Sequence, residues 1–247
     1  MKNNKNSRKH VLSLAPLAST LAITALALLI AAPAAKAAAN SNTGVLPPQS
    51  HPFGKTYGEW GAAWWRWAYS IPLSQNPLLD TTGAYCDMAQ SGPVWFLAGN
   101  FGGTTTRACT LPSGKAIFFP LLNYLNDYPC PDLSFHPAPG QSLEDFLAQG
   151  AAGLIDAVDS LEVEVDGVAL QGLFGYRGTS GLLTFTGDPS WVTLDSCITG
   201  SAQFGVSDGY WVMLAPLKPG AHTIHLLGGI SAFGFEVNVI YSLTVTP

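Results

Sequence analysis

Residues 56–70 read TYGEWGAAWWRWAYS and hold four of the seven tryptophans of the chain. At 100° per residue, this pattern predicts a helix with an apolar arc over about half of its circumference. The indoles of Trp60, Trp64 and Trp67 lie on one stripe of that arc. Glu59 and Arg66 share the opposite, polar face. Helix boundaries are also indicated, because Thr56-x-x-Glu59 is typical of a capping box and Pro72 disfavours helix at the preceding residue.

A helix with this much indole either packs under the rest of the fold or offers an aromatic platform to a ligand. Indole combines a large apolar face with an N–H donor, so it can stack on a sugar ring or another flat ligand. The predicted platform consists of Trp60, Trp64 and Trp67, with Tyr210 or Trp211 beside them. Arg66 and Glu59 cannot pair directly at their spacing, but they can flank a bound polar group.

The N-terminal segment has the features of a secretory signal peptide. Four basic residues and no acidic one precede an apolar run over residues 11–35, and small residues end the segment at Ala39. An uncleaved membrane anchor is the alternative, because the run is long enough to span a bilayer. The helix-breaking Pro33 favours cleavage. We therefore predict a signal peptide at residues 1–39, a single domain at residues 40–247, and a periplasmic or extracellular location.

Charge and motifs narrow the classes of partner. Cleavage after Ala39 would leave six basic residues against sixteen acidic ones. Such a chain is repelled by nucleic acid and by anionic lipid, so we expect neither as a partner and no stable membrane insertion after cleavage. The sequence has no P-loop, dinucleotide fingerprint or G-x-S-x-G motif, and we predict no cofactor. Nothing in it indicates an oligomeric state.

Four cysteines in an exported chain predict two disulfides. Three pairings are possible. The pairing that we favour joins Cys86 to Cys109 across a local loop and Cys130 to Cys197 between the middle and the last third of the chain. None of the four belongs to a C-x-x-C motif or a Cys/His cluster, so we predict no metal site.

Short runs of β-branched and aromatic residues predict a mostly β fold. Residues 104–109 are expected to return antiparallel on residues 93–98. Strict alternation in residues 161–165, followed by Asp166-Gly167, predicts a hairpin with a type I′ turn. Further strands are predicted at 114–122, 182–186, 210–214, 222–227 and 237–245. The predicted fold class is a disulfide-stabilised, jelly-roll-like antiparallel β-sandwich with two packed helices, the second of which begins at Ser142.

An irregular stretch, residues 123–141, holds the other candidate chemistry. Its prolines and Cys130 indicate an ordered loop, and ordered loops of this length are often functional. Asp127 and Asp132 lie in it, and two carboxylates drawn from these and Glu59 could act as acid and base in glycoside cleavage. A metal site built from Asp127, Asp132 and His136 is a weaker hypothesis, because aspartate beside proline is common in turns.

Four segments resemble a group of uncharacterised exported bacterial proteins. They are YGEW to Trp67, GPVWFLAG at 92–99, GKAIFFP at 114–120, and DGYW to Ile224. The resemblance covers most of the mature chain. It implies secretion and a shared fold but no activity, so it assigns no catalytic role.

The sequence favours an exported binding protein for carbohydrate or another flat ligand over an enzyme. The predicted ligand-binding residues are Trp60, Trp64, Arg66, Trp67, Tyr210 and Trp211. One alternative is a secreted hydrolase of polysaccharide or polymer that uses Glu59 with Asp127 or Asp132, and another is a structural envelope protein. A binding platform requires exposed tryptophan faces. An enzyme requires a cleft with at least two converging titratable groups, one with a perturbed pKa.

Overall fold

The computed structural model of the protein describes Asn42 and residues 44–247. The predicted signal peptide lies outside these residues, and its cleavage stays a prediction. The described part holds two α-helices, α1 (Tyr57–Ser70) and α2 (Leu143–Ile155), and nine strands. The strands are β1 (Val94–Phe96), β2 (Gly103–Pro112), β3 (Ala116–Tyr128), β4 (Ser160–Val165), β5 (Val168–Ala169), β6 (Leu183–Thr186), β7 (Ala202–Leu214), β8 (Gly220–Ile230) and β9 (Phe235–Thr246).

Two mixed sheets contain these strands. The first has the order β1-β3-β7-β6 and the second the order β2-β9-β8-β4-β5. β1 runs parallel to β3 and β2 parallel to β9, and the other pairings within the two sheets are antiparallel. The predicted mostly β, sandwich-like fold with two helices and two disulfides is confirmed. Each sheet differs from a purely antiparallel one by a parallel strand at its edge.

The prediction that residues 104–109 return on residues 93–98 is wrong. β2 belongs to the second sheet, where it pairs with β9 from Gly103–Val237 to Pro112–Thr246. The chain crosses between the sheets near Asn100, whose side-chain amide donates to the carbonyl oxygens of Gly103 and Asn238. A long parallel ladder with β9 satisfies more backbone groups than the three residues of β1 could.

The first sheet is the central layer of the fold. β3 and β7 are buried along nearly their whole length, whereas β9 alternates between buried and less buried positions. Helix α1 packs on β3, β6 and β7, and α2 packs on β3 and β7. Below α1, the rings of Phe118 and Trp211 stack with centroids 5.1 Å apart.

Local sequence signals account for the element ends. The Thr56 hydroxyl accepts a hydrogen bond from the Glu59 N–H, and the Glu59 carboxylate accepts from the Thr56 N–H, so the predicted capping box starts α1. Asp166 and Gly167 both have positive φ between β4 and β5, as a type I′ turn requires. In β3, the register with β7 shifts between Pro120 and Leu122, because proline cannot donate to the ladder.

Both predicted disulfides are confirmed. Cys86 bonds to Cys109, and Cys130 bonds to Cys197. The second bond joins the segment after β3 to the segment before β7. It therefore links two parts of the chain that are 67 residues apart in sequence.

Candidate functional site

The tryptophan helix packs in the core and does not form an exposed platform, so the first of the two alternatives left open by the sequence holds. Each of the seven tryptophans is buried, and Trp64 has no exposed surface at all. The predicted ligand-binding residues Trp60, Trp67, Tyr210 and Trp211 are likewise buried. More of the circumference of α1 is buried than its apolar arc predicts. The segment that follows α1 and the segment that precedes β7 both fold back over the helix. The indole of Trp191, for example, donates to the carbonyl of Ile71.

Most of these indoles also use their N–H groups within the fold. Trp60 donates to the carbonyl of Pro52, Trp64 to that of Leu97 and Trp67 to that of Met88, each at 2.9 Å between nitrogen and oxygen. Trp211 donates to the carbonyl of Gly178 at 3.2 Å. Donors that are paired with backbone carbonyls hold loops onto the helix and are not available to a ligand.

The polar face of α1 borders a separate shallow groove of about 360 Å³. Glu59 and Arg66 both line it, and Lys55 lies beside them. Hydrogen bonds from Thr56 lower the pKa of the Glu59 carboxyl. Arg66 donates from Nε to the carbonyl of Thr184. Glu59 lines this groove, whereas Asp127 and Asp132 line a different cavity. The capping of α1 is sufficient to explain a glutamate at this position.

A cavity larger than this groove lies at the far end of β3 and has a volume of about 530 Å³. We call it the aromatic–carboxylate cavity. Its aromatic lining residues are Trp64, Trp65, Tyr69, Phe101, Tyr124, Phe135, Trp191 and Phe235. Its polar lining residues are Asn100, Asn123, Asn126, Asp127, Asp132, Asp195 and Ser196. Among the described residues that line it there is no lysine, arginine or histidine.

Asp127 is the buried carboxyl of this cavity. It lies on β3, where it pairs with Gly205 of β7, and it is only 6% exposed. The predicted loop over residues 123–141 is thus wrong in its first part, because β7 pairs with β3 as far as Tyr128. Burial, followed by the negative charge of Asp195, raises the pKa of Asp127 to about 7, although a hydrogen bond from Gln203 opposes the shift.

Gln203 on β7 holds Asp127 in place. Its Nε2 atom donates to Asp127 Oδ2 at 2.8 Å and to the carbonyl of Cys197 at 2.6 Å. The side chain is 2% exposed. One amide therefore bridges the strand that carries Asp127 and the loop that carries Cys197.

Asp195 is the second carboxyl of the cavity, and it was not among the residues predicted from the sequence. It follows a short 3₁₀ helix, Pro189–Thr193, and its backbone N–H donates to the carbonyl of Trp191. Its carboxylate accepts from the Cys197 N–H at 3.0 Å and from the Tyr69 hydroxyl at 3.4 Å. Burial, with the charge of Asp195 next in importance, raises the pKa of Tyr69 well above its usual value.

The sequence feature that could have identified Asp195 as a site residue is its position close to a cysteine. It lies two residues before Cys197, and Asp127 lies three residues before Cys130. A disulfide between these cysteines, which the sequence favoured, necessarily brings the two aspartates into one neighbourhood.

Asp132 lines the same cavity but differs from the other two carboxylates. It is exposed, and its carboxylate accepts from the hydroxyl and the N–H of Ser134, which lowers its pKa. His136, the third member of the weaker metal hypothesis, contacts the carbonyl of Pro137. In the described part of the chain, the group with metal-ligand spacing is Asp127, Cys130 and Cys197, and the disulfide occupies both of its sulfur atoms.

Two residues that line the cavity carry buried N–H donors without a partner. These are Trp65 Nε1 and Asn123 Nδ2, neither of which finds an acceptor among the described residues. Buried donors without acceptors are uncommon in folded proteins.

Comparison of the chain with protein-family models, with curated proteins and with solved structures found no match. The resemblance to exported bacterial proteins stays a prediction. In the described part of the chain, no helix has the length and apolar character needed to cross a bilayer.

Proposed function

We propose that the protein is an exported binding protein that takes a small, neutral, hydroxyl-rich ligand of the carbohydrate class into the aromatic–carboxylate cavity. The observation that carries the proposal is the composition of the cavity wall. Eight aromatic residues line it, of which Phe101, Tyr124, Phe135 and Phe235 keep exposed or half-buried faces, and no basic side chain occurs among the described lining residues. Aromatic faces stack on the apolar faces of sugar rings, and amide and carboxylate groups bond to hydroxyls.

Charge argues against an anionic ligand. Asp127, Asp132 and Asp195 would repel a phosphate or carboxylate group, and no cation in the described lining would offset that repulsion. A neutral polyol avoids this cost.

Size and compartment are compatible with this proposal. A cavity of about 530 Å³ falls within the usual range for small-molecule sites, and it is formed without a second chain. The two disulfides are consistent with export to an oxidising compartment.

The direct test is calorimetric titration of the oxidised protein with soluble oligosaccharides of glucose, xylose, N-acetylglucosamine and galactose, with tryptophan emission recorded in parallel. Trp64, Trp65 and Trp191 line the cavity, so a bound ligand should shift the emission. Phe101→Ala should weaken binding about tenfold, because Phe101 lines the cavity and is 56% exposed, so its loss removes a stacking face with little loss of core.

Phe233→Ala is the matched control. Phe233 is 65% exposed and does not line the cavity, so its loss should leave the dissociation constant unchanged. Heat and emission that stay flat for every oligosaccharide would refute the carbohydrate proposal. Equal weakening by both phenylalanine variants would refute its location in this cavity.

A further inference from the structure

Two aspartates from distant parts of the chain converge on one cavity that is otherwise largely aromatic. Asp127 comes from the end of β3 and Asp195 from the loop before β7, and both line the aromatic–carboxylate cavity. The remaining aspartate there, Asp132, is exposed and bonded to Ser134. Two carboxyl groups with different surroundings in one cavity are the usual arrangement for acid–base hydrolysis of acetals.

The fold holds this pair by three independent contacts. The Cys130–Cys197 disulfide joins the two segments covalently. The Gln203 amide bonds to the Asp127 carboxyl and to the Cys197 carbonyl. The backbone N–H of Cys197 bonds to the Asp195 carboxylate. Asp127 and Asp195 are therefore positioned relative to each other by covalent and hydrogen-bonded links, as a catalytic pair must be.

We infer that Asp127 and Asp195 hydrolyse the glycosidic bond of an oligosaccharide held in the aromatic–carboxylate cavity, with Asp127 as the proton donor and Asp195 as the base. The inference rests on the proposed carbohydrate binding and adds a reaction to it. Gln203 and Tyr69 are positioning residues, because they contact the carboxyl groups and not the reacting bond.

The surroundings suit these separate roles. Asp127 is the more buried of the two, and its raised pKa of about 7 keeps a protonated form available near neutral pH. Asp195 is half-buried, and hydrogen bonds from the Cys197 N–H and the Tyr69 hydroxyl orient its side chain.

The reaction balances with water as the only co-reactant. The Asp127 carboxyl proton moves to the glycosidic oxygen as the bond from that oxygen to the anomeric carbon breaks. Asp195 removes a proton from a water molecule, whose oxygen forms the new bond to the anomeric carbon. One water is consumed and two hydroxyl-bearing sugars are formed. A proton then passes through solvent from Asp195 to Asp127 and restores the starting state.

The experiment measures binding and cleavage separately on the oxidised, full-length protein. The probes are fluorophore-labelled hexasaccharides of glucose (β-1,4 and α-1,4), xylose and N-acetylglucosamine. Cleavage is followed by chromatography, and binding by fluorescence anisotropy at 4 °C. Asp127→Asn and Asp195→Asn should each lower cleavage of the best probe at least 100-fold and change its dissociation constant less than threefold.

Two readouts separate catalysis from a structural effect. Asn at position 127 keeps an oxygen acceptor for Gln203, so near-ultraviolet circular dichroism should match that of the wild type. The wild-type rate should fall on the alkaline side with a midpoint near pH 7, as the Asp127 carboxyl loses its proton. Asp87→Asn, an exposed aspartate beside the other disulfide and outside the cavity, is the control and should keep its activity within twofold.

Each outcome bears on a different claim. Binding of a probe without cleavage by the wild type overturns the hydrolase inference and leaves the binding proposal intact. Cleavage that survives in both asparagine variants overturns the assigned roles. Neither binding nor cleavage with any probe overturns both proposals together.

Discussion

Arg107 and Asp127 are both buried ionisable residues, and both lie close to a disulfide, yet their surroundings are built differently. Arg107 on β2 is 2% exposed, and its guanidinium donates to five acceptors. These are the carbonyl oxygens of Leu78, Asp80, Ala98 and Gly99 and the hydroxyl of Tyr241. Through these hydrogen bonds, Arg107 holds the surrounding loops against β2.

The Asp127 carboxyl is almost as buried as the Arg107 guanidinium, but it has far fewer hydrogen-bond partners. In the described part of the chain, its carboxyl accepts one side-chain hydrogen bond, from Gln203, and it shares the cavity with the like charge of Asp195. Burial without matching donors is why its pKa rises.

The contrast separates a structural charge from a chemical one. A buried charge that is surrounded by hydrogen-bond partners from the protein stabilises the fold and is inert. A buried carboxyl that is under-supplied with donors and borders a cavity lowers stability when ionised, and such sites are typical of binding and catalysis. Four sets of variants test this difference.

The largest effect is expected from Arg107→Met. Methionine keeps the apolar stem but leaves buried carbonyls of the surrounding loops without a donor, so the free energy of unfolding should fall by about 4–5 kcal/mol. Urea denaturation measures it. Arg66→Met removes one bond from an exposed arginine and should cost less than about 1 kcal/mol. Equal losses in the two variants would mean that the acceptors around Arg107 contribute nothing.

Asp127 should lower stability as pH rises. A carboxyl with a pKa of about 7 when folded and about 4 when unfolded binds more protons in the folded state between those values. The resulting loss begins near pH 4, is complete just above pH 7 and reaches up to about 4 kcal/mol. Asp127→Asn removes this pH-dependent loss. The free energy of unfolding of the variant, measured by urea denaturation, should therefore rise relative to that of the wild type between pH 5 and pH 8.

Asp132→Asn is the control for this measurement. Asp132 has a lowered pKa, so its contribution is present above the unfolded value and is lost only on acidification. The difference between this variant and the wild type should therefore be constant from pH 5 to pH 8. A constant difference for Asp127→Asn as well would show that Asp127 titrates like an exposed carboxyl.

Removal of the two disulfides should have unequal effects. Each double alanine variant is expected to lose about 2–4 kcal/mol. Loss of Cys130–Cys197 should cost about 1 kcal/mol more than loss of Cys86–Cys109, because it closes 67 residues rather than 23. A larger loss for the Cys86–Cys109 variant would show that the burial of these two cysteines outweighs the loop entropy of the unfolded chain. Only the loss of Cys130–Cys197 should also weaken oligosaccharide binding, since it frees the segment that carries Asp195.

The smallest effect is expected from Thr56→Ala, which removes the cap of α1 and should cost about 1 kcal/mol. Ser142→Ala at the start of α2 is the matched variant, because Ser142 accepts from the Asp145 N–H in the same way. Similar losses by thermal denaturation, without a change in the pH dependence assigned to Asp127, would confirm that capping is local. A cap variant that shifts that dependence would link α1 directly to the carboxyl pair.

The candidate site was only partly predictable. Asp127 was a candidate, but it was expected in a loop, and its strand became visible only through the pairing of β3 with β7. Glu59 was grouped with it because both are carboxylates, whereas the fold places Glu59 on a different groove. Asp195 and Gln203 belong to no sequence motif. They become site residues because the Cys130–Cys197 disulfide and the walls of the cavity place them beside Asp127.

The sequence by itself determined the features that depend on neighbouring residues. These include the capping box at Thr56 and Glu59, the turn at Asp166-Gly167, the alternation of β9 and the bulge at Pro120. Such features follow from backbone sterics and hydrogen bonds within a few residues, so local composition is enough to predict them.

Only the tertiary structure decided which aromatic faces are covered, which sheet receives β2, and which carboxyl groups meet. The amphipathic arc of α1 is the same whether a ligand or the chain covers it, and the free energy of burial favoured the chain. Asp127 acquires its pKa from a loop that comes much later in the sequence. Burial and charge–charge interactions depend on distance in space, and distance in space is a property of the whole fold.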